Sequence, residues 1–494
     1  MPNTYEKQNI GVEPLPLFGR RVIYYDADKI TKDNIEDALS KALEIHAKNE
    51  AEIKQLYDIY KGKMAVLEKQ KDVREEINNK IVANFPNKVV SFHTGYFLGK
   101  PIQYVSRGEK TEELNSTVSN WIDELNRFSD DCNKPSDDTT LAEWMFICGT
   151  AYRLTLPSEY SDNESPYDTF VLDPQDTLVV YSSDVGHKRL MGVTKIKRAS
   201  GQIVFNCYTD AEFFKISTNN NVISSPYVGG FTIEERKSHV VGRVPIVEYP
   251  TCEARIGAFE LVLPLCDAIN MALSDMADGR QQFVNALMVI KGADITDEQF
   301  MQMRYLGGVK VPETGDIKYL VSELDQTQGT DAINLMIDIM LQIAHMPKRS
   351  GGNGGTSDNG VAVVLRDGYA DAEGYANRIE RIFKKSENES LRIALRICNI
   401  HDPKFKLKLS DVEPHFTRLN TDNMLARVQS LTTLLASGKV HPELAWEISK
   451  LYSDPNAAYM LSKEYEESVI AREEQMLADS VNTNRNDAPD GDAE

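Results

Sequence analysis

Long apolar runs are absent. No stretch approaches the roughly 18 residues that a membrane helix needs, so no part of the chain is expected to span a bilayer. Residues 1–6 lack the basic and apolar regions of a secretory signal. No C-x-x-C pair occurs. The six cysteines, Cys132, Cys148, Cys207, Cys252, Cys266 and Cys398, are scattered and read as reduced, core-filling thiols of a protein made in the cytosol. The eight histidines form no H-x-x-H or H-E-x-x-H pair and none lies near a cysteine pair, which argues against zinc. No G-x-S-x-G elbow is present. Positive charge is in short supply. Lys and Arg number 55 against 75 Asp and Glu, and the net charge of −20 argues against tight wrapping of nucleic acid while leaving loose contact open.

Two glycine-rich stretches fail as phosphate cradles. Between Gly95 and Gly99 stand three residues instead of four, and Pro101 follows Lys100 where a hydroxyl residue is needed, so a helix ending at Gly99 is the better reading. Residues 351–360 lack both a following Gly-Lys-Ser/Thr and a preceding parallel strand. Asp130-Asp131-Cys132-Asn133 has oxygens for calcium but no glycine at the sixth loop position, and reads as solvated loop. Glu260 and Asp267 fit one acidic helix face, which reads as a solvated stripe rather than a catalytic pair. No catalytic residue, metal ligand or cofactor is expected, and the chain is not expected to be an enzyme.

What is present is ordinary globular composition, 41% hydrophobic and 26% charged, over 494 residues, too long for one core. An extended, Pro- and Gly-punctuated arm covers residues 1–30. Helices are predicted over 31–62, 89–98, 111–128 and 140–148. From 150 to 250 the period changes to two. Eight strands are predicted, at 152–156, 169–172, 178–181, 191–196, 203–208, 213–216, 231–234 and 245–249, as one antiparallel meander. Helix returns over 254–279, where Pro264 inside the run is expected to kink it, followed by a small αβ insert with strands at 286–290, 308–311 and 317–321 and a helix at 294–304. A second helix, 330–346, has Thr330 and Asp331 as N-caps. Its apolar face is Ile333, Met336, Ile337, Met340, Ile343 and Ala344, and Asn334, Asp338, Gln342 and His345 lie on another face. The two helices suggest an antiparallel pair carrying the insert at its far end. Pro347 stops the run, then Lys348, Arg349, Ser350, Gly351, Gly352, Asn353, Gly354, Gly355, Thr356, Ser357, Asp358, Asn359 and Gly360 form a long polar loop. A charged helix is predicted over 361–399, a strand over 405–409, helices over 423–436, 442–452 and 455–477, and a tail disordered by composition over 480–494. Several copies side by side in a ring would bury the apolar stripes and leave polar, acidic faces on the axis. The fold class is α+β, mainly helical.

Several blocks carry a resemblance to a known family. They are Tyr57-x-x-Tyr60-Lys61-Gly62, residues 78–85 (NNKIVANF), residues 89–102 (VVSFHTGYFLGKPI), residues 242–249 (GRVPIVEY), Asp267-Ala268-Ile269-Asn270 with Ser274-Asp275, and Asn359-Gly360-Val361-Ala362. In order and spacing the chain resembles portal proteins, the head–tail connector subunits of tailed double-stranded DNA phages, of the long-flexible-tail type. Asn359 departs from the serine often found there. The resemblance implies a ring, typically of twelve subunits, at one capsid vertex of the virion, assembled in the host cytoplasm. It implies a wing (31–250), two stem helices (251–279 and 330–346) flanking a clip (280–329), a tunnel loop (347–360), a long wing helix with its connection (361–417) and a crown (418–479). Lys348 to Ser357 would meet DNA transiently and without sequence preference, and Asn334, Asp338, Gln342, Glu260 and Asp267 would face the channel. Implied partners are further copies of the chain, the terminase packaging motor, head-completion or adaptor proteins, and the major capsid and scaffolding proteins, with no membrane. The other readings are a metal-dependent nuclease and a non-viral oligomeric scaffold.

Overall fold

The computed structural model describes residues 19–72, 74–107, 112–159, 164–218, 230–284, 287–291, 316–320, 326–348, 369–418, 424–449, 451–452 and 455–486. A short strand β1 (Ile23–Tyr25) precedes α1 (Ile35–Tyr60). Gly62, at φ +100°, turns the chain past the end of α1. The apolar stripe of α1 serves two cores. Ile35, Leu39 and Leu43 pack on a β-sheet, whereas Ile53, Leu56 and Ile59 join a larger helical core. At 1.5 Å per residue the helix is about 39 Å long, enough to reach both.

Next come α2 (Phe85–Phe97), β2 (Gln103–Ser106), α3 (Glu112–Asp131) and α4 (Lys134–Cys148). The loop expected at Asp130 is the last turn of α3. The chain reverses at Asn133, at φ +55°, and Pro135 in the first turn starts α4 earlier than expected.

All eight predicted strands form: β3 (Thr150–Pro157), β4 (Tyr167–Leu172), β5 (Thr177–Ser182), β6 (Arg189–Lys197), β7 (Ile203–Tyr208), β8 (Glu212–Thr218), β9 (Phe231–Ser238) and β10 (Ile246–Pro250). They do not make one meander. β5 to β9 do, with β1 added parallel to β5 at the edge, while β10, β3 and β4 form a separate antiparallel sheet. Residues 150–155 of β3 are all buried, which suits a strand covered on both faces rather than one with a solvated side.

The helix expected from residue 254 begins later. A turn and a 3-10 segment (Glu260–Val262) lead into α5 (Leu263–Val284), so Pro264 sits in a first turn rather than at a kink. β11 (Leu287–Lys291) pairs antiparallel with β12 (Asp316–Leu320), and α6 (Gln326–Ile343) returns along α5, with Gly329 beside Met276. Thr330 and Asp331 therefore lie inside α6, past the position of an N-cap. The predicted helix at 294–304 and strand at 308–311 fall outside the described residues.

The long helix α7 (Tyr369–His401) follows. Residues 405–409 form no strand, although Phe405 and Leu407 are buried. The strand is β13 (Val412–His415), paired with β2. α8 (Met424–Ala436), α9 (Pro442–Ser449) and α10 (Pro455–Asn486) finish the chain, and α10 continues past the expected start of a disordered tail at residue 480.

Fully buried charges tie α4, β3 and α7 together. Arg153 on β3 binds Asp138 of α4 and, at 3.0 Å, Glu387 of α7. Lys134 reaches Asp138 at 2.8 Å and Glu387 at 3.0 Å, and the Tyr104 and Tyr249 hydroxyls donate to Glu387 at 2.7 and 2.9 Å. Two cations and two anions balance. Burial alone would raise the Glu387 pKa, but Lys134 and Arg153 outweigh it and hold the carboxyl below its ordinary range.

Candidate functional site

The glycine-rich segment follows the end of α6 in the sequence, and that end is built with care. His345 takes the left-handed conformation, at φ +52°, usually given to glycine. The Met346 N–H reaches back to the Leu341 carbonyl at 2.9 Å and the His345 N–H to Gln342 at 3.2 Å, the double closure of a Schellman turn. Helix termination thus comes before Pro347. Two groups hold the turn. His93 of α2, which is buried, donates from Nε2 to the Ala344 carbonyl at 2.8 Å. The Tyr375 ring of α7 lies between the His93 and His345 rings, 4.8 and 4.9 Å away, and His345 Nδ1 bonds Asp371 of α7 at 2.9 Å. One joint therefore fastens the end of α6 and the start of α7, on either side of the glycine-rich segment, to α2. His93 belongs to the 89–102 block on which the resemblance chiefly rests.

Burial pushes the His93 pKa down to about 4, so the ring is neutral and its N–H is available as donor. Because the unfolded chain takes up this proton near the ordinary value of 6.5, stability contributed by His93 falls as pH drops from 6.5 toward 4. His93→Gln keeps a donor without a titrating ring. Urea unfolding at pH 7 and pH 5 is expected to show a smaller acid-side loss in this variant than in the parent. His93→Phe, which leaves the Ala344 carbonyl unpaired, is expected to cost about 1–3 kcal/mol at pH 7 and less at pH 5, where the parent has already lost part of what His93 contributes.

A second device fixes α5. Its buried Asn270, Ser274 and Asp278 recur every four residues, and they accept the backbone N–H groups of Ala83 (2.8 Å), Ile81 (2.9 Å) and Asn79 (2.7 Å). Four helical residues rise about 6.0 Å and two extended residues about 6.6 Å, so the two periods match over this length. Asp278 is also bound by Lys69 at 2.9 Å and Lys71 at 2.5 Å, and Lys69 reaches Asp275 at 2.7 Å. Burial would raise the Asp278 pKa, yet hydrogen bonds from Lys71, Lys69 and Asn79 hold it well below the usual range. Two of the resemblance blocks, 78–85 and 267–275, are thus halves of one contact. The four-residue spacing of Asn270, Ser274 and Asp278 was the available signal; the pairing partner was not visible.

The expected channel residues divide. Asn334 and Gln342 are exposed on α6, and Asp338 and Asp267 are half-buried. Burial raises the Asp267 pKa. Glu260 is a correction. It is fully buried in its own subunit, paired with Arg20 at 2.5 Å and accepting the Gly257 N–H at 2.9 Å, so it presents no charge to a channel. Lys348 folds back onto Asp338 in an exposed pair. Arg349, Ser350, Gly351, Gly352, Asn353, Gly354, Gly355, Thr356 and Ser357 lie outside the described residues. Beside Asn334, Asp338 and Gln342 runs a second stripe, Leu335, Ile339 and Ile343, which is exposed rather than packed within the subunit. Ile343 was expected on the buried face.

Among the described residues no group of three His, Cys, Asp or Glu side chains is placed to hold a metal, and no helix is long and apolar enough to cross a membrane. A family model described as phage portal protein, SPP1 Gp6-like, matches residues 39–477. The chain belongs to this family. A comparison with curated proteins gave no match. As a portal protein it is a structural component of a capsid vertex, serving genome packaging and head–tail connection. The mixed α+β architecture agrees with the portal fold.

Proposed function

We propose that copies of this portal protein close into a ring, of twelve by resemblance, whose bore passes DNA during packaging and ejection. The family match over residues 39–477 is the observation that carries the reading. α5 and α6 act as stem helices, the β11–β12 module as clip, residues 347–360 as tunnel loop, α7 as long wing helix, and α8 to α10 as crown. The clip receives the terminase motor and later the head-completion proteins. The wing meets capsid and scaffolding proteins, in a particle of the long-flexible-tail type assembled in the host cytoplasm. Adjacent stripes on α6 suit this arrangement. Leu335, Ile339 and Ile343 would be covered by a neighbouring copy, leaving Asn334, Asp338 and Gln342 on the axis.

A conduit must touch DNA without holding it. Acidic and polar walls repel phosphates, and Lys348, released from Asp338, would make a weak, salt-sensitive contact together with Arg349. Negative-stain images of the purified chain are expected to show rings with a central hole; monomers under all conditions, including in assembled heads, would sink the reading. Replacing Gly351, Gly352, Gly354, Gly355 and Gly360 together by alanine is expected to leave rings intact and to slow DNA filling of heads at least about tenfold, because each alanine removes backbone freedom. Normal filling rates would remove any role for loop mobility.

A further inference from the structure

The end of α7 remote from the loop carries a groove that the conduit reading does not use. It is a shallow, open depression of about 460 Å³, lined by the cationic Arg392, Arg396 and Lys408 and by the apolar Leu395, Ile400 and Leu407. We propose that this groove docks an acidic, amphipathic helix of a head-assembly protein that meets the outer edge of the ring.

Position comes first. α7 starts beside the loop joint at Tyr369, and Arg392 lies about 35 Å further along the same helix. On the ring reading, with the loop joint bordering the bore, the groove lies at the far end of this helix from the bore. This step rests on the ring reading.

Charge is the second argument. The chain as a whole is strongly acidic, yet here cations outnumber anions. Glu389 is shared by Arg189 at 2.8 Å, Arg243 at 3.3 Å and Arg392, so one carboxylate meets three guanidinium groups. Arg396 is fixed in place. Its Nε donates to the Val240 carbonyl at 3.2 Å, and its guanidinium lies where a Cβ on Gly242 would stand. Lys404, Lys406 and Lys408 alternate outward on the next segment while Phe405 and Leu407 point in.

The third argument is the apolar part of the lining. Ile400 is 51% exposed, and Leu395 and Leu407 are buried. A lining both cationic and apolar matches a helix with one acidic and one apolar face. A DNA backbone would satisfy the cations but leave the apolar part wet.

The test uses the full-length chain in the assembly state it adopts. The probe is a fluorescent helical peptide of about five turns with glutamate on one face and leucine on the other. Its scrambled isomer and a short DNA duplex serve as competitors. Anisotropy is expected to show binding that weakens at least about tenfold in Lys408→Glu combined with Arg392→Glu, and measurably in Lys408→Glu alone. The scrambled peptide should compete poorly. Unchanged affinity in both variants, equal binding of the scrambled peptide, or displacement by duplex DNA overturns the proposal. Loss of rings in Lys408→Glu alone also overturns it, by assigning the groove to a contact between copies. Peptide affinity and ring images are read separately, so a failed ring reading is distinguishable from a failed groove.

Discussion

Arg153→Met is expected to cost about 3–5 kcal/mol of stability, the usual result of removing one member of a fully buried ion cluster. The loss comes less from the missing bonds than from what stays behind. Asp138 and Glu387 would share Lys134 alone, leaving an unbalanced negative charge where no water can reach. Glu387→Leu alone reverses the imbalance and should cost a similar amount. The double variant leaves the neutral Lys134–Asp138 pair, so it is expected to be more stable than the sum of the single losses by at least about 2 kcal/mol. Urea unfolding of the four proteins measures this. Strict additivity would mean that the charges do not act as a unit.

Asp278→Ala has the second largest expected effect. It strips the carboxylate that receives Lys69, Lys71 and the Asn79 amide, and leaves the buried Lys69 with only the exposed Asp275. A cost of about 3 kcal/mol is expected, at the lower end for a buried pair because Lys69 keeps one partner. The local readout is sharper. Amide hydrogen exchange at Asn79, Ile81 and Ala83 should accelerate together, since all three are held by the same face of α5. Ser274→Ala should cost about 1–2 kcal/mol and accelerate chiefly Ile81. The Asp278 carboxyl is held below its ordinary value of 3.8, so its stabilisation is present above that pH and lost as pH falls further. Unchanged exchange in Asp278→Ala at neutral pH would show that the contact does not hold the segment.

Local periodicity made much of the fold legible. Alternation placed all eight strands between residues 150 and 250, and the helical repeat located α1, α5, α6 and α7 to within a turn or two at most described ends. What periodicity does not carry is partner choice. β3 and β4 alternate much like β5 and β6, and β5 is buried nearly as fully as β3, so only the pairing of β3 with β10 and β4 in the folded chain makes a separate sheet. β1 lay in an arm read as merely extended, because an edge strand of three residues has too little pattern to register. Charges were hardest. Glu260 looks like any acid on a helix face until Arg20, 240 residues earlier in the chain, is brought against it. Arg153 and Glu387 are separated by 234 positions, so their mutual neutralisation is a property of the folded chain alone. The joint around His345 was concealed for another reason. A left-handed turn is normally announced by glycine, and here an imidazole stacked on Tyr375 takes that place.

The pin at Glu387 has a mechanical consequence. It grips the 33-residue α7 near the middle of its length, while one tip carries the loop joint and the other the basic groove. The helix also has buried residues from Ala372 to Cys398 and is tied down near both tips, by Asp371 to His345 and by Arg396 to Val240, so it cannot pivot by itself and works as a strut that keeps the loop joint and the groove at a fixed spacing.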